Sequence, residues 1–235
     1  AAPRALNGIF AGALVEVMTE PLGDETCEQL EIFSDADWRR LIERKNSLLF
    51  GPGIGVSDAT QSATRWLLRN VAMPWVIDAD GLNNLTLDLD RLRRAQTAPI
   101  LTPHPGEMAR LIGKSTADVN ADRIEVARGF ATAHRCHVVL KGARTVIATA
   151  DGKVFVNPTG NPGMASGGMG DVLAGIIAAL LGQGMSAEDA MKLGVFLHGY
   201  VGDRAAEAKG PIGLIASDIV DDLPKALVEL SAPAA

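Results

Sequence analysis

The chain has 235 residues, of which 47% are hydrophobic, 4% aromatic and 21% charged, and its formal net charge is -6 with a pI near 5.2. This length and apolar content suffice for one sizeable core, so we expect a single domain over residues 1–235 and no extended disorder. The acidic balance argues against a surface for nucleic acid or for an anionic membrane, although a local glycine-rich site can still bind an anion.

The cysteines and the N-terminal segment bear on the cellular compartment of the protein. Cys27 and Cys136 are the only cysteines, and their spacing fits neither a metal site nor a CxxC motif. We therefore expect two unpaired thiols in a reducing compartment, with a disulfide between them as the alternative. No basic segment followed by an apolar stretch opens the chain, and its longest apolar run is too short to span a membrane, so we predict a cytoplasmic protein.

Strand and helix patterns alternate along most of the chain. Residues 1–29 are irregular, with a short strand or a loop at ALVEVMTEPL and no clear opening helix. The predicted strands are short apolar runs at residues 47–50, 74–80, 99–102, 138–141, 145–149 and 154–156. The predicted helices cover residues 35–45, the segment that Asp58 can cap, the segment around Met108, and residues 118–134, 169–181, 187–208 and 217–230.

This alternation predicts a layered α/β fold with a mostly parallel central sheet. Unusual residues follow the strand ends, in the motifs GPGIG, DADGLN, TPHPGE and KGART and in the glycine-rich stretch 157–184. Ligands of such folds bind outside the carboxyl ends of the strands. We therefore expect these loops to meet in one crevice.

The stretch 157–184 is a glycine-rich loop that leads into an almost wholly apolar helix. Unpaired amides at a helix N-terminus, together with glycines that allow close approach, form a site for phosphate. Asp171 would repel such a ligand unless it accepts a proton during phosphoryl transfer, which suggests a general base. The alternative interpretation is close helix packing, with Asp171 as a first-turn carboxylate favoured by the helix dipole.

In order and spacing, GPGIG, DADGLN, LTPHPGEMARL, VVLKGARTVIA, GNPGMASGGMGDVLAGIIAALLGQG and HGYVGDRAA resemble the ADP/ATP-dependent NAD(P)H-hydrate dehydratase family, a branch of the ribokinase-like superfamily. The resemblance covers residues 13–230. It implies a ribokinase-like α/β/α fold and an enzyme that restores NADH or NADPH from the hydrates (6S)-NADHX or NADPHX. In that reaction ADP or ATP phosphorylates the hydrate hydroxyl, and phosphate is then eliminated.

The resemblance also implies roles for particular residues. Asp171 is the expected general base, and Gly55, His104 and Asp171 are the expected contacts to the hydrate. The amides of Gly168, Met169 and Gly170 are the expected anion hole. The expected nucleotide-binding residues are Lys141, Gly142, Ala143, Arg144, Thr145, Asn161 and Gly170.

Other polar residues have both a functional and an ordinary interpretation. Glu107 stands where ribokinase-like enzymes have an Asn-x-x-Glu motif that helps to organise Mg²⁺. The alternative is a first-turn carboxylate. Asp78 and Asn83 are candidates near the phosphates, and the alternative is turn and cap chemistry. His198 and Asp203, on a late helix, are interpreted as a packing histidine and a surface carboxylate.

Family members begin with a glycine-rich strand and a following helix, and this chain shows no equivalent before Ala13. We therefore expect the fold to lack the family's first strand and helix. The resemblance further implies a homotetramer. Two other functions stay open, namely a ribokinase-like kinase for a vitamin precursor, which would retain the phosphorylated product, and a nucleotide-binding module without activity.

Overall fold

The computed structural model of the chain describes residues 1–26 and 34–231. Two short strands, β1 (Ala2–Pro3) and β2 (Pro21–Leu22), pair with each other in parallel, and helix α1 (Asn7–Ala13) lies between them in the sequence. The prediction that no helix opens the chain is wrong. Helix α1 has no side-chain cap and buries none of its residues, so it carries neither the capping signal nor the apolar face from which a helix is predicted. Cys27 lies outside the described residues.

Further along, strands and helices alternate as predicted, except that the strand predicted over residues 74–80 ends at Ile77 and a helix that was not predicted begins at Asp80. The strands are β3 (Leu48–Phe50), β4 (Trp75–Ile77), β5 (Ile100–Leu101), β6 (His137–Leu140), β7 (Val146–Ala148) and β8 (Val154–Val156). The helices are α2 (Asp35–Ile42), α3 (Asp58–Asn70), α4 (Asp80–Leu85), α5 (Pro105–Ile112), α6 (Thr116–Ala121), α7 (Arg123–His134), α8 (Met169–Gly182), α9 (Ala187–Lys209) and α10 (Ala216–Ser231).

Strands β3 to β8 form one six-stranded sheet in sequence order. The pairs from β3 to β6 are parallel, and β6–β7 and β7–β8 are antiparallel. Alternate strand residues enter opposite cores, as the pleat requires. In β4, Trp75 and Ile77 pack with residues of α3 and α5, whereas Val76 packs with residues of α8 and α9. The predicted layered fold with a mostly parallel sheet is confirmed.

Two predicted helix boundaries are wrong. The cap of α3 is Ser57, whose side chain accepts from the Thr60 amide, and Asp58 is the first helical residue. The helix predicted over residues 118–134 is divided into α6 and α7 at Asp122, which has φ -148° and ψ 74°. The Asp122 side chain accepts from the Glu125 amide at 3.1 Å and so begins a new helix, because aspartate favours capping over a helix interior.

Two remaining predictions concern the thiol of Cys136 and the absence of a membrane-spanning helix. Cys136 is buried and unpaired, and burial raises the pKa of its thiol to about 12. Among residues 1–26 and 34–231, none of the helices has both the length and the apolar character needed to cross a bilayer.

Candidate functional site

The GPGIG loop after β3 is bonded to the segment after β4. The Gly55 amide donates to Asp80 at 2.9 Å, and the Gly55 carbonyl accepts from the Asn84 side chain at 2.9 Å. Gly51 lies so close to the segment after β4 that a Cβ would be 2.8 Å from the Gly81 nitrogen. Ala79 has φ 49° and ψ -121°, a strained conformation of the kind that clusters at functional sites. Because both backbone groups of Gly55 are engaged, its predicted contact with a ligand would have to use its exposed Cα.

A buried ion pair joins the ends of β4 and β6. The Lys141 ammonium lies 2.8 Å from Asp78 Oδ1 and 3.8 Å from Glu107 Oε2, and its side chain is only 17% exposed. The second Asp78 oxygen, Oδ2, is buried and accepts from none of the described residues. Lys141 is therefore a paired, mostly buried side chain and not a solvated one. A buried carboxylate oxygen without a donor is costly, so Oδ2 is a natural contact for a cation or a hydroxyl donor.

His104 and Glu107 begin helix α5 as a capping box. His104 Nδ1 accepts from the amides of Gly106 at 2.9 Å and Glu107 at 3.3 Å, and a Glu107 oxygen accepts from the His104 amide at 2.7 Å. With Nδ1 as an acceptor, a neutral imidazole carries its proton on Nε2. The His104 side chain remains 52% exposed. The cap fixes the ring and leaves room for the predicted contact.

The N-terminus of α8 follows Gly168, which has φ 83°. Among the described residues, the amides of Gly168 and Gly170 have no hydrogen-bond acceptor, and the Met169 amide makes only a long bond of 3.5 Å to the Ser166 carbonyl. The N-terminal turn of this long helix carries a partial positive charge. Amides without an acceptor at such a turn are suited to binding an anion, and the anion hole at Gly168, Met169 and Gly170 stays a prediction that this geometry allows.

Asp171 lies in the first turn of α8, on an exposed position. Partial burial of its carboxyl raises its pKa, the negative charge of Asp78 raises it further, and Lys141 lowers it. The Asp171 carboxylate is therefore a stronger base than an ordinary aspartate, and it belongs electrostatically to the Lys141–Asp78 pair.

A cavity of about 440 Å³ opens between α8, α9 and the loops after β6 and β8, and we call it the α8–α9 cavity. Seven predicted residues line it: Lys141, Gly142, Ala143, Thr145, Asn161, Met169 and Gly170. The other predicted site residues do not line it: Gly55, Asp78, Asn83, His104, Glu107, Arg144, Gly168 and Asp171. Of these, Arg144 is exposed, and Asn83 accepts from the Arg110 side chain at 3.1 Å. Lys141 connects the two groups, since it lines the cavity and pairs with Asp78.

Helix α9 holds the cavity loop over residues 157–164, a role that the sequence interpretation missed. Asp203 accepts from the Gly160 amide at 2.9 Å and from the Asn161 side chain at 3.0 Å. The Asn161 amide also donates to the Gly202 carbonyl at 2.9 Å. Asp203 is therefore more than a surface carboxylate. The signal lay in HGYVGD, whose glycines permit the close approach of a loop to this helix face.

His198, from the same motif, lines the cavity. Burial lowers the pKa of its imidazole to about 4, so the ring is neutral near pH 7. Its Nε2 atom is buried and has no partner among the described residues. His198 therefore contributes an uncharged side chain to the lining of the cavity.

Comparison with known proteins agrees with this arrangement. Residues 10–225 match the sequence profile of the family described as NAD(P)H-hydrate dehydratase. The chain belongs to the NAD(P)H-hydrate dehydratase family. The family resemblance inferred from the motifs is thereby confirmed.

Two relatives in this family are named as enzymes for NAD(P)H hydrate. The chain is 45% identical over 231 residues to the bifunctional NAD(P)H-hydrate repair enzyme Nnr of Moorella thermoacetica, with 98% of this chain and 43% of that protein covered. It is 40% identical over 178 residues to the ADP-dependent (S)-NAD(P)H-hydrate dehydratase of Neisseria meningitidis serogroup B, with 74% of this chain and 60% of that protein covered. The chain thus spans less than two thirds of the length of either relative.

A solved structure extends the comparison to three dimensions. The crystal structure of the ADP/ATP-dependent NAD(P)H-hydrate dehydratase from Bacillus subtilis, co-crystallised with ATP/Mg²⁺ and soaked with CoA, superposes with a TM-score of 0.80 and 26% identity. The match covers 97% of this chain and 79% of the Bacillus chain. The ribokinase-like layered fold is shared across this range.

Proposed function

We propose that the chain catalyses the ADP- or ATP-dependent dehydration of (6S)-NADHX and NADPHX to NADH and NADPH. The observation that carries the proposal is the position of Asp171. It places a carboxylate with a raised pKa in the same helical turn as the unpaired amides of Gly168 and Gly170. That turn can stabilise a transferring phosphoryl group while the carboxylate accepts a proton beside it.

The nucleotide would occupy the α8–α9 cavity, with its phosphates towards α8. Lys141, Gly142 and Ala143 line this cavity, and the Lys141 ammonium would face the phosphates. Asn161 lines the cavity with its side chain bonded to α9, so its contribution to binding is the shape of the wall. Arg144 and Thr145 complete the nucleotide-binding segment in this proposal, Arg144 from its exposed position. An ammonium and free amides together neutralise phosphate charge.

The hydrate would bind on the Asp171 side of Lys141, against His104 and Gly55. Asp171 takes the proton of the hydrate hydroxyl as that oxygen attacks the terminal phosphorus of the nucleotide. The bond between that phosphorus and the bridging oxygen breaks, and the nucleotide leaves with one phosphate fewer. The electron pair of the ring nitrogen then expels phosphate from the ring carbon and leaves an iminium. Loss of a proton from the neighbouring ring carbon leaves its C–H electron pair as the ring double bond and returns the other pair to the nitrogen.

The site also suits a magnesium ion held mainly by phosphates and water. Asp78 Oδ2 is buried without a partner among the described residues, and Glu107 Oε2 lies 3.8 Å from the ammonium of the same lysine. In the described part of the chain, no group of three or more His, Cys, Asp or Glu side chains forms a metal site. This is compatible with Mg²⁺, which commonly uses one or two carboxylates plus substrate phosphates. Asp78 and Glu107 would hold the ion, and the ion would offset the negative charge of the phosphates.

Incubation with NADHX and Mg²⁺, with ADP, with ATP or without nucleotide, tests the proposal. We expect the absorbance of NADH to rise only when a nucleotide is present. A stable phosphorylated product would instead indicate a kinase of the vitamin-precursor type, and nucleotide binding without turnover would indicate an inactive module.

The variant Asp171→Asn tests the general base. We expect kcat to fall by roughly a hundredfold to ten-thousandfold, the usual contribution of a positioned acid or base. Nucleotide affinity should change little, because Asp171 lies outside the residues that line the α8–α9 cavity. Steady-state kinetics and calorimetric titration with ADP separate the two effects. An Asn variant with wild-type kcat would refute this role.

A homotetramer and a cytoplasmic location belong to the same proposal. Helix α10 supports self-association through exposed apolar side chains, among them Val220 at 53% and Val228 at 73% exposure. Exposed apolar side chains on one helix can take part in a protein interface. Light scattering in solution measures the assembly directly, and a monomer would contradict this part of the proposal.

A further inference from the structure

We propose that Arg123 is a positioning residue that shapes the KGART loop, residues 141–145, for binding a nucleotide phosphate. Arg123 is the first residue of α7. Its Nη1 donates to the Ala143 carbonyl at 2.5 Å, and its Nη2 donates to the carbonyls of Leu140 at 2.8 Å and Lys141 at 3.0 Å. One guanidinium thus holds three carbonyls around the turn that follows β6. The inference rests on the nucleotide-binding role proposed above.

The orientation of these carbonyls sets the orientation of the amides. In a planar trans peptide, the N–H of one residue points opposite to the C=O of the residue before it. Because the carbonyls of Lys141 and Ala143 point to Arg123, the amides of Gly142 and Arg144 point away from it. Neither amide has a hydrogen-bond acceptor among the described residues. Gly142 and Ala143 line the α8–α9 cavity, whereas Arg123 does not.

Unpaired amides of one turn that point the same way form an anion site. The turn is compact, since Thr145 Oγ1 donates to the Gly142 carbonyl at 3.0 Å. Gly142 has φ 135°, and a Cβ there would lie 3.2 Å from Arg123 Nη2. A glycine is therefore required both by the backbone conformation and by the close approach of the guanidinium.

Charge supports the same assignment. Arg123 is half-buried, and in the part of the chain that the structure describes it forms no ion pair with a carboxylate. Its guanidinium stays protonated in proteins, so it places an uncompensated positive charge behind the loop. Lys141, by contrast, is already paired with Asp78. An anion bound to the loop amides would face the Arg123 charge across a single turn of backbone, where screening by water is weak.

The break between α6 and α7 positions Arg123 at the start of a helix. Asp122 caps α7 through the Glu125 amide, and Arg123 therefore occupies the free end of the helix instead of an interior position. From the first position of α7 its side chain reaches the end of β6. The helix break that the sequence pattern did not predict is thus the feature that aligns Arg123 with the loop.

Three variants test the inference. Arg123→Met removes both the charge and the fork, which is the planar pair of Nη groups that donates to the three carbonyls. Arg123→Lys keeps the charge but lacks the fork. Arg128→Met is the control. Arg128 lies on the same helix and pairs with Glu125. Calorimetric titration with ADP gives Kd, and steady-state kinetics give kcat and the KM values for ADP and NADHX.

We expect Arg123→Met to raise the Kd and KM for ADP by about tenfold or more, as expected when a charge-assisted network is lost, with the KM for NADHX unchanged. Arg123→Lys should restore part of the ADP affinity, and Arg128→Met should match the wild type.

Unchanged ADP affinity in Arg123→Met, or equal losses in the KM values for ADP and NADHX, would overturn the inference. If Arg123→Met fails to fold, Arg123→Lys decides it, since wild-type ADP affinity there would overturn the need for the fork. If the wild-type protein itself binds no ADP, the proposed function fails and the inference fails with it.

Discussion

The pKa of the Asp171 carboxyl depends on the residues around it. Its carboxyl is partly enclosed, and the charge of Asp78 acts on it in the same direction as burial, towards a higher pKa. A general base works best when its pKa approaches the working pH, because it is then both ionised and basic. Asp78 is itself held by Lys141 at 2.8 Å, so one buried pair sets the basicity of the exposed carboxylate.

The variant Asp78→Asn tests this coupling through the pH dependence of kcat/KM. The acidic limb of that profile reports protonation of the base, and removal of the Asp78 charge lowers the pKa of Asp171. We therefore expect the acidic limb to move to lower pH, whatever the remaining rate. Glu207→Gln, a neutralised exposed carboxylate on α9, should leave the limb in place. A limb that stays or moves to higher pH in Asp78→Asn would contradict the coupling.

At the scale of elements, the site depends on loops fixed against helices. Asp203 and the glycines of HGYVGD hold the cavity loop on α9. Gly199 contacts the backbone of this loop, since a Cβ there would lie 2.8 Å from the Thr159 carbonyl carbon and 2.9 Å from the Gly160 nitrogen. These atoms belong to the backbone and cannot turn aside as a flexible side chain can.

The variant Gly199→Ala tests this docking. Alanine is better in a helix by about 1 kcal/mol, but forcing the loop away costs about 1–3 kcal/mol, so we expect net destabilisation and weaker ADP binding. Gly175→Ala in α8 is the matched control, because a Cβ there meets nothing within 4 Å and should be neutral or stabilising. Urea unfolding and ADP titration measure both effects. A Gly199→Ala protein as stable as the Gly175→Ala protein would refute the close approach.

At the scale of the whole molecule, the order of elements followed from the sequence because apolar periodicity and strand-end motifs agree over most of the chain. Several features did not follow, and three show why. Helix α1 buries no residue and so lacks a periodic signal. The break at Asp122 depends on one cap inside a continuous helical pattern. Asp203 acts on a loop more than forty positions away, as its bond to Gly160 shows, and no local pattern encodes such a contact.

In the proposed reaction, two ligands meet at one lysine. Lys141 lines the α8–α9 cavity and pairs with Asp78, whose charge also acts on Asp171. Phosphoryl transfer between two bound molecules requires their reacting atoms to be held in line and close together. The central claim is that NADH recovery proceeds through such a transfer.

The most direct test measures NADH and inorganic phosphate in the same reaction, with NADHX, Mg²⁺ and a limiting amount of ADP or ATP. Transfer followed by elimination predicts equal molar amounts of NADH and phosphate, both ending when the nucleotide is consumed. NADH formed without phosphate, or phosphate released without NADH, would contradict the account.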